Sequence, residues 1–184
     1  MESQVTRSRQ RILESAVVLL KEGGLPGQLV EAAAETARVP IANAKLFFQN
    51  DEELILALYL RLANDLELRA SALPPKGVAE RFRTLMLAKL GLVGPYRQAF
   101  AGLFAKMLDP RTNIGVLSKQ TELVRLRARA AFAKVVHGAE DAPSATTELT
   151  QGLYAAHLAL KAAPLSQRAH SKSDPVCPRT WDAA

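Results

Sequence analysis

Cysteine is nearly absent from this chain. Cys177 is the single one in 184 residues, which excludes an internal disulfide and any cysteine-rich metal cage. A reducing compartment fits. β-Branched aliphatics are also scarce: Val and Ile supply 12 and 4 residues, against 31 Ala and 28 Leu, and that balance favours helices over strands. No apolar run approaches the roughly 20 residues a bilayer span needs. The N-terminal stretch carries Glu2, Arg7, Arg9 and Arg11 in place of a signal-peptide apolar segment. A cytoplasmic, soluble, all-α protein without a membrane partner is the expectation. The length suits one compact domain, or a small head sharing its core with a larger body.

Residues typical of catalytic sites are equally thin. His137, His157 and His170 are far apart, with no His-x-x-x-His pair for zinc, and Gly23-Gly24 and Gly27 lack the strand context of a phosphate-binding loop. Nothing points to catalysis, and no cofactor is expected. The net charge of +6 invites a nucleic-acid reading, but its distribution matters more. Residues 1–70 hold eight basic and ten acidic side chains, whereas residues 71–142 hold twelve and five. The basic excess lies in the middle, so bulk charge alone does not mark a DNA-binding surface.

Helical periodicity organises what is there. Ile12, Leu13, Ala16, Val17, Leu19 and Leu20 predict a first helix over 6–22, stopped by Gly23-Gly24. An alanine-rich short helix follows over 28–37, interrupted by Arg38, Val39 and Pro40, and a third spans 41–47. Asn50 reads as an N-cap with Glu53 three residues on, opening a fourth helix whose Leu54, Leu58, Leu62 and Leu66 repeat every four residues. Leu73-Pro74-Pro75-Lys76-Gly77 is the clearest break. Later helices are predicted over 78–93, 95–108, 119–136 and 144–161. Beyond Ala162, Pro164, Pro175 and Pro178 interrupt a segment expected to be poorly ordered.

Two short helices joined by a tight turn and braced by a preceding helix have the layout of a helix-turn-helix, though core packing alone produces the same layout. The residues add more. Arg11-Ile12-Leu13 with Ala16, Leu19 and Leu20, then Gly23-Gly24, Ala33-Ala34, Ala37, Val39, Phe47-Phe48 and Glu52-Glu53-Leu54, resemble the head of the TetR family of transcriptional regulators over roughly residues 7–66. The resemblance implies a helix-turn-helix DNA-binding head (1–50), a connector helix (51–73), a helical regulatory, ligand-binding and dimerisation body (74–161) and a tail (162–184).

By the same resemblance Ala33 and Ala34 pack helix two on helix three, Val39 anchors the turn, and Ile41, Ala42 and Asn43 open the groove-facing side of a recognition helix. Asn43 can exchange hydrogen bonds with a base edge or phosphate, and Ile41 and Ala42 can meet a thymine methyl. Lys45 stands where the family has a phosphate-touching tyrosine, and can act there as a point charge. Phe48 fills the head core; Phe47 reads as core or as a partial groove contact. Three positions depart from the family: Arg38 replaces the turn glycine, Pro40 the capping Ser or Thr, and Asp51 the lysine that opens helix four. Arg38 reads as a phosphate contact or as a solvated turn residue. Asp51 would repel a phosphate unless Lys45 or Arg38 offsets it.

In the body, Met86, Phe100, Phe104 and Met107 are the candidate effector-binding residues, with core packing as the alternative role. Leu149, Leu153, Ala156 and Leu160, with Gly152, Ala155 and Ala159, mark a candidate dimer helix. Family bodies add another long helix after it, which residues 162–184 do not supply in this reading. The functional expectation is a one-component regulator, a repressor that binds a pseudo-palindromic operator in duplex DNA as a homodimer and responds to a small-molecule effector. The competing expectation is a helical ligand-binding or interaction protein whose head no longer reads DNA.

Overall fold

The structure, a computed structural model, describes residues 2–109 and 111–170, with side chains described over 4–109 and 111–158. Among them it is all-helical: α1 (Glu2–Glu22), α2 (Leu29–Thr36), α3 (Ile41–Phe47), α4 (Asp51–Ser71), α5 (Val78–Val93), a 3-10 turn (Gly94–Tyr96), α6 (Arg97–Leu108), α7 (Glu122–His137) and α8 (Thr146–His170). None of these helices is long and apolar enough to cross a membrane. α1 ends where expected, because Gly24 takes a φ of +80°, a left-handed conformation that costs glycine nothing. α4 opens as predicted: the Glu53 amide donates to Asn50 Oδ1 at 3.1 Å, while Glu53 Oε2 accepts from the Gln49 amide at 2.8 Å. The reciprocal bond of the capping box has slipped back by one residue.

Two apolar clusters share α4. Its first half sends Leu54, Ile55 and Leu58 into a cluster with Ile12, Leu20, Leu29, Val30, Ala33, Ala44 and Phe48. That cluster is completed from far along the chain by Tyr96, Ala99, Leu103 and Ile114. The second half sends Leu66 and Ala70 into another cluster, built on Phe132 with Leu85, Ala131, Val135 and Tyr154. A wholly buried Phe of this kind is worth about 2–3 kcal/mol. The apolar circumference read from the sequence of α4 is therefore covered on two sides. α4 packs most extensively on α7, where Glu67 takes Lys134 at 2.9 Å and Arg127 at 3.2 Å, and Lys134 also donates to Ser71.

The break at residues 73–77 is held by one side chain. Arg81, buried, donates Nη1 to the carbonyls of Leu73 (2.9 Å) and Pro74, Nε to Val135 O (2.8 Å) and Nη2 to Lys134 O (2.7 Å). Its charge thus sits at the negative end of α7, where the Lys134 carbonyl also accepts from the Gly138 amide at 3.2 Å. A Cβ on Gly138 would lie 2.5 Å from Arg81 Nη2, so a side chain there would have to displace the guanidinium. Ile114 is fixed by a short loop in which Arg125 Nη1 reaches Val116 O and Ser118 O at 2.8 Å and Thr121 Oγ1 accepts from it at 2.7 Å.

α8 runs past its predicted end at residue 161: the chain remains helical through Ala162 and Pro164 to His170. An interior proline removes one amide donor and costs about 3 kcal/mol, but its neighbours Ala162, Ala163, Leu165, Gln167, Arg168 and Ala169 favour helix. Pro164 is a single defect within the helix rather than its stop. Residues 171–184, with Pro175, Cys177 and Pro178, lie outside the described residues.

Candidate nucleic-acid interface

The elements that form the site are α2, α3 and the turn between them. α2 buries Leu29, Val30, Ala33 and Ala34, and the small alanines let α1 and α3 approach closely. It ends in a Schellman arrangement: the Val39 amide donates to Ala34 O at 2.9 Å and the Arg38 amide to Glu35 O at 3.0 Å. The left-handed residue this motif requires is Arg38, with φ +53°. Glycine adopts this conformation freely, so the backbone geometry is present without the residue best suited to it. Val39 is buried behind the turn. Arg11 Nη2 donates to Ala37 O at the end of α2, and the Arg9 guanidinium lies 4.9 Å over the Phe48 ring.

α3 begins at Pro40, whose carbonyl accepts from the amides of Asn43 (2.9 Å) and Ala44 (3.0 Å). Pro40 supplies backbone geometry but no side-chain cap. Ala44 and the following Phe48 point inward and are buried, and Phe47 is half-buried against the same core. Ile41, Ala42, Asn43 and Lys45 are all exposed. Leu46, which the sequence pattern did not single out, joins them and is 81% exposed; Ile41 is 47% exposed. The available signal was the i, i+3, i+4 spacing of Ala42, Lys45 and Leu46, which puts all three on one face.

Two carboxylates shape the electrostatics. Glu31 on α2 pairs with Lys45 at 2.9 Å. That hydrogen bond, seconded by the Glu31 backbone amide, holds the Glu31 carboxyl below its ordinary range. Asp51, expected to face phosphate, instead accepts from the Val30 amide through Oδ1 at 2.9 Å. α2 has no side-chain cap of its own, since Gln28 makes none, and Asp51 supplies one from α4. Neither partnership has a sequence signal, because each joins residues on different helices.

The four residues weighed for an effector do not share one place. Phe100 and Met107 pack against the first cluster, Met86 against the second, and Phe104 is half-buried on α6. Phe100 stacks on Tyr96 at 5.7 Å and meets Tyr59 edge-on at 5.8 Å; burial raises the Tyr59 phenol above its ordinary value. Two open surface concavities run along Arg11, Ser15 and Arg38, and along Ser71, Arg81 and His137. None of the four candidates lines either one.

On α8, Gly152, Ala155 and Ala156 face outward while Tyr154 and His157 are buried; the side chains of Ala159 and Leu160 lie outside the described residues. His157 contacts Lys89 of α5 through Nε2 and lies 5.0 Å from the Phe132 ring. Among the described residues no group of three or more His, Cys, Asp or Glu is arranged to hold a metal ion. No protein-family model matches this chain, and comparison with curated proteins returns no match.

Proposed function

We propose that this chain is a one-component transcriptional regulator, a repressor, that binds duplex DNA through α3 and answers to a small-molecule effector, in the manner its resemblance to the TetR family implies. The observation that carries this reading is the outward face of α3, where Ile41, Ala42, Asn43, Lys45 and Leu46 are exposed on a short helix seated by buried Ala44 and Phe48. A single helix fits the major groove, and this face offers apolar contacts for thymine methyls, an amide for base edges and a cation for phosphate. Residues 1–50 would act as the head, α4 as the connector and the remaining helices as the regulatory body. Two copies would read half-sites about 34–36 Å apart, or a multiple of that, so the operator would be a pseudo-palindrome.

Selection of bound duplexes from a random DNA pool at near-physiological salt tests this. Enrichment of an inverted repeat is the expected outcome; a lone half-site would remove the dimer, and no enrichment would remove the DNA reading. The second reading, a helical interaction or ligand-binding protein with a silent head, is favoured by one observation: the single cation of α3, Lys45, is already paired with Glu31.

A further inference from the structure

The Lys45–Glu31 pair bears on how the head would meet a phosphate backbone, and its role there rests on the duplex reading of α3. Lys45 is the cation within α3, and its ammonium lies 2.9 Å from Glu31 Oε1. The lysine side chain is half-exposed and the carboxylate 28% exposed, so the pair lies at the surface. An exposed pair of this kind is weak and readily exchanged for another anion. Asp51, at the start of α4, accepts from the Val30 amide. Glu31 is therefore the anion that a phosphate would have to displace.

We propose that Glu31 is an affinity-setting residue of the head: it holds Lys45 in the free protein and competes with backbone phosphate for the same ammonium. While the pair persists, Lys45 releases no counterion from the duplex and contributes nothing to the salt dependence of binding. Removing the carboxylate's charge frees the ammonium to make one phosphate contact. That contact is independent of base sequence, so it acts on any duplex.

The test is binding of the full chain to a labelled random-sequence duplex over a series of salt concentrations, for the wild type, Glu31→Gln, Lys45→Ala and the double variant. Glu31→Gln is expected to bind about fivefold tighter at low salt and to steepen the plot of log affinity against log salt by about one unit. In the Lys45→Ala background the same change is expected to alter affinity less than about twofold and to leave the slope unchanged. A Glu31→Gln protein that binds no tighter overturns the proposal. So does one that gains equally with and without Lys45, since that gain would be loss of general repulsion. Measurable wild-type binding with either result overturns the role of Glu31 alone, whereas no duplex binding by any of the four proteins overturns the DNA reading with it.

Discussion

The carboxylate of Asp51 caps the amide of Val30 at 2.9 Å, so the first residue of α4 closes the start of α2. An 8-residue helix has few internal hydrogen bonds relative to its unpaired ends, and it gains from a cap supplied by a neighbour. The same device recurs at α5, where Gly77 offers no side chain and Asp141 Oδ1 accepts from the Val78 amide at 2.7 Å. In both places the chain's local sequence is a poor N-terminus that tertiary packing repairs.

Replacing Asp51 with Ala should therefore destabilise the protein by about 1 kcal/mol, the usual worth of an N-cap. Asn, which keeps an acceptor oxygen, should retain most of that. Urea denaturation of the two variants against the wild type measures it, and an alanine variant as stable as the wild type would mean the cap is idle.

Arg38 offers a change in the opposite direction. A left-handed residue with a Cβ costs about 1–2 kcal/mol, and glycine avoids this at an unfolded-state entropy penalty of about 0.5–1 kcal/mol. Arg38→Gly should accordingly melt slightly higher than the wild type and Arg38→Val clearly lower, as differential scanning calorimetry would record. If Arg38 also touches phosphate, the glycine variant will lose duplex affinity while gaining stability, which separates the two roles open to that residue.

Arg81 has no such latitude. Its guanidinium serves four carbonyls that belong to two separate segments, and its removal takes the side-chain donor from all four, of which the Val135 carbonyl bond is fully buried. Arg81→Met should cost about 3 kcal/mol or more. Lys should rescue little, because an ammonium cannot reproduce the planar fork. A lysine variant with wild-type denaturation would contradict the clamp.

The Glu67 pair predicts an acid-sensitive seam between α4 and α7. Hydrogen bonds from Lys134 and then Arg127 hold the Glu67 carboxyl below its ordinary value of 4.5, against the opposing effect of burial. A carboxyl depressed on folding adds stability that is fully present above its unfolded value and is lost as pH falls through its folded one. Stability should thus be flat near neutrality and drop below about pH 4.5, with a shallower drop in Glu67→Gln. Denaturation midpoints across that range are the readout, and parallel acid limbs would assign the loss to other carboxylates.

Local features were legible in the chain before it folded. The bounds of α3 and α5, the stop at Gly23-Gly24 and the Asn50 cap all follow from periodicity and from side chains within four residues of the groups they serve. In the structure Ala44 and Phe48 face inward and leave Ile41, Ala42, Asn43 and Lys45 exposed. The helix through Pro164 also has its signal in the sequence, where six good helix formers surround one proline and outweigh it. Partners, by contrast, came from packing alone. Folding brought Asp51 to Val30, Lys45 to Glu31 and Arg81 to four carbonyls; it completed the cluster around α1–α3 with Tyr96, Ala99, Leu103 and Ile114, and it parted Met86 from Phe100 and Met107. Periodicity states which face of a helix is apolar but not which distant residue will meet it, and hydrogen bonds and ion pairs act only over the few ångströms that folding itself creates.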